Sequence, residues 1–127
     1  MDSGPHRIAV IDDDRGLVQT IRVLLEAKGY SVSCAYGGKD GLELVKRDIP
    51  DLVLLDINMP DLDGRDVLIR MKKENSTKDI PVIFLTGRGE QYERSYGIEL
   101  GAYEYISKPY DGVILLRQIE NILSKKK

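Results

Sequence analysis

The segment DLVLLD, residues 51–56, sets four apolar residues, Leu52, Val53, Leu54 and Leu55, between two aspartates. A strand with one face in water alternates apolar and polar side chains. A run that is apolar at every position must be covered on both faces. That pattern belongs to a central strand of a parallel sheet with helices on each side. The run then ends on a carboxylate, Asp56, and the next turn adds Asn58, Pro60, Asp61 and Asp63. A chain that buries this strand must build a layered α/β structure around it and must account for the charge at its end.

The flanking sequence supplies the layers. RIAVI, Arg7 to Ile11, is a short β-branched strand. Leu17, Ile21, Leu24 and Leu25 then recur at helical spacing, and Gly29 reads as the stop. SVSCA is a second strand; Gly37, Gly38 and Asp40 mark a turn, and Leu42 and Val45 suggest a second helix. Pro50 breaks the chain before DLVLLD, because it supplies no N–H and disfavours helix at Ile49. Val67, Leu68 and Met71 form the inner face of a third helix, and Pro81 introduces the strand VIFL, ending at Thr86 and Gly87. Residues 90–100 predict a fourth helix, polar and weakened by Gly97 at a cost of about 1 kcal/mol relative to alanine. YEYIS is a fifth strand. A final amphipathic helix carries Leu115, Leu116, Ile119, Ile122 and Leu123 and opens at Asp111 as its cap.

Five strand–helix units in series predict a doubly wound, five-stranded parallel sheet of order 2-1-3-4-5 with five helices, the flavodoxin-like α/β arrangement. The length of 127 residues fits one domain over 1–127, with a core spanning about 6–124. A net charge of -2 provides no basic field for nucleic acid or membrane. No apolar stretch approaches the ~20 residues needed to span a bilayer, and MDSGPHR lacks the apolar segment of a signal peptide. The single cysteine, Cys34, cannot form an internal disulfide and reads as a small buried filler in the second strand. A reducing, cytoplasmic setting fits best. His6, the only histidine, lies in the lead-in, which argues against Ser–His catalysis or a histidine metal site.

In an open parallel sheet, ligands bind beyond the carboxyl ends of the strands. Asp12, Asp13 and Asp14 follow the first strand, Asp56 ends the third with Asn58 just beyond, Thr86 and Gly87 end the fourth, and Lys108 and Pro109 follow the fifth. Taken singly, each reads as a helix cap or an ordinary strand end. Together they put three carboxylates, a hydroxyl and an ammonium on one edge, with Asp14 turned away as a cap. Asp12, Asp13 and Asp56 against Lys108 leave a sum of two negative charges, which a hard divalent cation would cancel. Magnesium suits this set, because it needs few carboxylates and keeps water and phosphate oxygens as further ligands. A phosphoryl group is then favoured. Lys108 and the Thr86 hydroxyl suit its oxygens, Gly87 leaves its N–H unobstructed, and Asp56 is the natural nucleophile. An EF-hand reading of DINMPDLDG fails: with Asp56 first, the fifth and sixth positions are Pro60 and Asp61, where a ligand and glycine are needed. Asp61, Asp63 and Gly64 read as turn residues.

VIDDD, LLDINMPDLDG, VIFLTGRGE and GIELGAYEYISKPY, in this order and spacing, resemble the receiver domain of two-component response regulators over nearly the whole chain. The resemblance implies that Asp56 is phosphorylated from a histidine on a kinase or phosphotransfer protein. Asp12, Asp13, Asp56 and the backbone carbonyl of Asn58 would hold Mg²⁺, with Mn²⁺ as a substitute. Thr86 and Lys108 would sense the phosphate, and Tyr105 would be the aromatic switch. It also implies a signalling switch and not a metabolic enzyme, with self-catalysed gain and loss of the phosphoryl group. The peptide before Pro109 is expected to be cis. Gly87 stands where alanine is commoner, and GAYEY replaces the frequent GADDY. Asn58 and Arg88 occupy positions that tune phosphoryl lifetime in that family.

Five of the seven tyrosines, Tyr92, Tyr96, Tyr103, Tyr105 and Tyr110, fall in the fourth helix, the fifth strand and the entry to the last helix. That face is the expected contact for a partner, including a second copy of the chain. Two other classes compete. One is a haloacid-dehalogenase-like phosphatase with Asp12 as nucleophile and Asp14 as acid, which needs a further strand with an acidic pair after Lys108. The other is an interaction module indifferent to phosphorylation, against which the intact acidic set, Thr86 and Lys108 argue.

Overall fold

The computed structural model describes residues 4–86, 104–107 and 110–125. Five strands, β1 (Arg7–Ile11), β2 (Ser31–Ala35), β3 (Leu52–Asp56), β4 (Val82–Thr86) and β5 (Glu104–Ser107), form one sheet. Its order is β2-β1-β3-β4-β5, and every pairing is parallel. Four helices lie among the described residues: α1 (Arg15–Ala27), α2 (Gly38–Asp48), α3 (Gly64–Lys72) and the last helix, here α4 (Gly112–Ser124). The helix expected over 90–100, the peptide before Pro109 and the residues Arg88, Tyr92, Tyr96 and Tyr103 lie outside the described residues.

The sheet divides the core in two. Ala9, Ile11, Val53, Leu55, Val82 and Phe84 point to one side and pack with α2 and α3 through Val45, Val67, Leu68 and Met71. Ile8, Val10, Leu52, Leu54, Ile83 and Leu85 point to the other and pack with α1 and α4 through Val18, Ile21, Leu25, Leu115 and Ile119. Leu52 to Leu55 are all 0% exposed, as expected of a strand covered on both faces. Each such side chain contributes roughly 1.5–3 kcal/mol of burial, so the central strands fix the register.

Caps set where the helices begin. The Asp14 carboxylate accepts from the Leu17 N–H (3.1 Å), that of Asp63 from Arg65 N–H (2.8 Å), and that of Asp111 from Val113 N–H (2.8 Å) and Ile114 N–H (3.3 Å). Each satisfies backbone donors that the first helical turn leaves open. Two readings need correction. Gly37 and Gly38 do not form a separate turn: Gly37 is the N-cap and Gly38 opens α2. Cys34 is half-buried and not fully buried, because β2 is the edge of the sheet; burial still pushes its thiol pKa up. At the other end of α2, Ile49 adopts a left-handed conformation (φ 46°) and its carbonyl accepts from the Arg7 guanidinium (2.9 Å).

Gly64 shows how tightly the turn after β3 is closed. Its N–H donates to the Ile57 carbonyl (2.8 Å), and a Cβ there would run into the Asp56 carbonyl oxygen. That oxygen is backbone, with no side-chain freedom to yield. Gly64→Ala is expected to lower unfolding stability by about 1–3 kcal/mol, the usual cost of overpacking. Urea denaturation of the two proteins checks this, and equal midpoints would show that the turn can relax.

Candidate functional site

The sheet places its functional side chains at the carboxyl edge. Asp12 leaves β1 directly. Its N–H donates to the Ala35 carbonyl of β2 (3.2 Å), and its Oδ1 accepts from the Asp14 N–H (2.9 Å). The residue is 0% exposed. Asp56 ends β3, pairs in register with Leu85 of β4, and is 5% exposed. Asp13 is exposed. One carboxylate oxygen from each of Asp12, Asp13 and Asp56 lies within 4.8 Å of the other two. Three residues from two neighbouring strand ends therefore meet at one point, as the strand-end argument requires.

Asp14 does not join them. Its carboxylate caps α1, which removes it as the acid of the phosphatase alternative. Among the described residues only α4 follows β5, so the further acidic strand of that alternative is not found there either. Asn58 is exposed between Ile57 and Met59, which are both buried in the α2–α3 side of the core. The backbone of Thr86 lies at the end of β4 opposite Ser107, and Tyr105 lies opposite Phe84 in β5. The side chains of Thr86 and Tyr105, and all of Gly87 and Lys108, are outside the described residues.

The donor set fits a hard divalent cation. All three groups are carboxylates, their oxygens are close enough to share one ion, and two of the three are withdrawn from solvent. Neither cysteine nor histidine belongs to the cluster, so nothing in it selects a softer metal.

Two arrangements were not legible in the sequence. Asp61, expected as a turn residue, accepts from the backbone N–H groups of Gly38 (2.9 Å) and Lys39 (3.0 Å), at the start of α2. These bonds hold its carboxyl below the usual carboxylate range, with Lys39 the larger cause. The partners are 22 and 23 residues away, and no local pattern signals them. The Arg15 guanidinium lies over the Tyr36 ring, 4.1 Å from its centre, and Gln19 donates to the Tyr36 hydroxyl (3.2 Å). This closes the seam between α1 and β2.

Comparison with known proteins agrees with this geometry. Residues 8–120 match the family model for the response regulator receiver domain, and the chain belongs to that family. It is 41% identical over 113 residues to the transcriptional regulatory protein DltR of Streptococcus agalactiae, covering 89% of this chain and 50% of that protein. It is 38% identical over 121 residues to the response regulator MprA of Mycolicibacterium vanbaalenii, covering 95% of this chain and 52% of the relative. The chain thus spans about half the length of these relatives. Among solved structures, a response regulator receiver domain protein from Clostridium thermocellum superposes with a TM-score of 0.88 at 35% identity, over 95% of this chain and 96% of that one. The phosphatase alternative finds no support among these relatives. No helix among the described residues is long and apolar enough to cross a membrane.

Crowded carboxylates cost stability until a cation joins them. Asp13→Asn is therefore expected to raise the melting temperature in chelator and to abolish the further rise that Mg²⁺ gives the parent protein. Thermal melts of both proteins, with EDTA and with Mg²⁺, check this. An unchanged response to Mg²⁺ would place the ion elsewhere.

Proposed function

We propose that the chain is the phosphoacceptor switch of a two-component phosphorelay, with Asp56 as the residue that carries the phosphoryl group. The meeting of Asp12, Asp13 and Asp56 at the end of the buried central strand, in a chain of this family, is the observation that supports it most. In this reading residues 6–124 act as one receiver unit in the cytoplasm.

A carboxylate oxygen of Asp56 attacks the phosphorus of a phosphohistidine on a kinase or phosphotransfer protein. The P–N bond breaks, its electron pair stays on the imidazole, and an acyl phosphate remains on Asp56. Asp12, Asp13, Asp56 and the Asn58 carbonyl would hold Mg²⁺, or Mn²⁺ in its place. When bound, the ion supplies charge neutralisation at the phosphoryl oxygens and a template for in-line transfer. Asp12, buried and tied to the start of α1, keeps its carboxylate oriented as charge moves. Lys108 and the Gly87 N–H meet the phosphoryl oxygens, and Thr86 bonds them after transfer. Water later attacks the phosphorus, past Asn58 and Arg88; the P–O bond to Asp56 breaks, its electron pair returns to the carboxylate, and inorganic phosphate leaves. The chain turns over no metabolite.

The acyl phosphate carries about one and a half to two negative charges where the carboxylate carried one, and it brings three acceptor oxygens. Thr86 moves to them, Tyr105 turns inward, and the face built from segment 90–100, β5 and α4 changes shape. Its recipient is an output segment or a second copy of the chain. This is a shift between two packings, and about 5 kcal/mol of differential phosphate binding moves such an equilibrium from nearly empty to nearly full.

Acetyl phosphate with Mg²⁺ is expected to label one carboxylate, Asp56, read by phosphate-affinity electrophoresis and peptide mapping. Asp56→Asn and EDTA should each remove the label, and full labelling of Asp56→Asn would sink the assignment. Beryllofluoride, a phosphoryl mimic, is expected to move backbone NMR signals beyond the pocket, as far as residues 104–107 and 110–125. Shifts confined to the surroundings of Asp56 would rule out the proposed route.

A further inference from the structure

The loop 57–63 joins Asp56 to α3 and carries Asn58. It is held by its apolar residues: Ile57 and Met59 are buried, and Leu62 packs against the same cluster. It is also held from outside. Gly37, the N-cap of α2, supplies no capping side chain, and the open N–H groups of Gly38 and Lys39 donate to the Asp61 carboxylate, one to each oxygen. The contact is close over its whole length. A Cβ on Gly37 would come within 3.2 Å of the Asp61 carboxylate, and one on Gly38 would overlap the Leu62 carbonyl oxygen. Two glycines in succession let the start of a helix lie directly on the loop.

We propose that Asp61 is a positioning residue for the metal site: by capping α2 across 22 residues of sequence it fixes loop 57–63, and with it the Asn58 carbonyl. The inference rests on the reading above that this carbonyl is a metal ligand. Asp61 itself does not touch the ion. A carbonyl on an unpinned loop would have to be ordered each time the metal binds, whereas the clamp orders it beforehand. Partners that orient metal ligands typically change affinity 10–100-fold when removed.

The test uses the whole chain and Mg²⁺ alone, followed by ¹H–¹⁵N NMR titration. Asp61→Ala is expected to weaken Mg²⁺ binding about tenfold and to shift the Gly38 and Lys39 amides even without metal. Asp61→Asn, which keeps one acceptor oxygen but no charge, is expected to recover most of the affinity. Asp111→Ala removes a comparable cap from α4, on the opposite face of the sheet, and controls for lost stability; it should leave Mg²⁺ affinity unchanged. Equal weakening by Asp61→Ala and Asp61→Asn would mean that the remaining cap bond does not position the loop, and would overturn the proposal. So would unchanged affinity in Asp61→Ala, or a loss in Asp111→Ala as large. Absence of Mg²⁺ shifts around residues 12, 13 and 56 in the unsubstituted protein would instead bring down the metal-site reading and the positioning role with it. The two failures are told apart by the protein in which they occur.

Discussion

Strand β3 belongs to both halves of the core at once. Val53 and Leu55 pack towards α2 and α3, while Leu52 and Leu54 pack towards α1 and α4. Its neighbours β1 and β4 divide their side chains the same way, so the sheet is the shared wall of two apolar clusters. Sliding β3 by one residue would exchange the faces of all four side chains. Asp56 inherits its position from this constraint. It is the first residue of the strand that is not needed to fill either cluster, and it arrives where the helix layers part.

The acidic residues around it fall into two groups by what they bond. Asp14, Asp61, Asp63 and Asp111 accept from N–H groups in the first turns of helices. Asp12, Asp13 and Asp56 come together instead. The first group offsets the positive ends of helix dipoles and fixes where those helices start. The second group is held in place by what the first has fixed: Asp12 by the turn into α1, Asp56 by the strand and by the closure of Gly64 on its carbonyl. A concentration of acid that looks redundant along DDD and DINMPDLDG is thus divided between scaffold and site.

This division explains what could be read beforehand. Strand identity and order were legible because burial on both faces leaves an unmistakable apolar run, and because parallel connections admit few topologies. The convergence of Asp12, Asp13 and Asp56 was legible because strand ends fall on one edge whatever the side chains do. Asp14 and Asp111 were legible as caps, since a cap and its helix are adjacent in sequence. Asp61 was not. Its partners belong to a different helix, and nothing near residue 61 distinguishes it from an ordinary turn aspartate. The start of α2 is hidden for the same reason: with glycine at 37 and 38 it lacks a local side-chain cap, and its cap comes from across the fold. Cys34 lies less deep than its strand pattern suggests, because β2 has a neighbouring strand on one side only and its middle residues stay half-buried.

The same frame bears on where a change of charge at Asp56 can be relieved. One oxygen from each of the three carboxylates lies within 4.8 Å of the others, so negative charge is already concentrated at this point. On the β1 and β3 side it cannot yield: residues 8–11 and 52–55 are 0% exposed, and close-packed cores resist small displacements. The loop beyond β3 is anchored by Ile57, Met59 and Gly64. On the other side, among the described residues, the sheet ends after two more strands, with β5 at its edge. An edge strand and the helix that follows it can shift with fewer partners to disturb than a central strand can. Among the described residues, positions 82–85 of β4 are as fully buried as those of β1 and β3, so the strand with the fewest packed neighbours is β5.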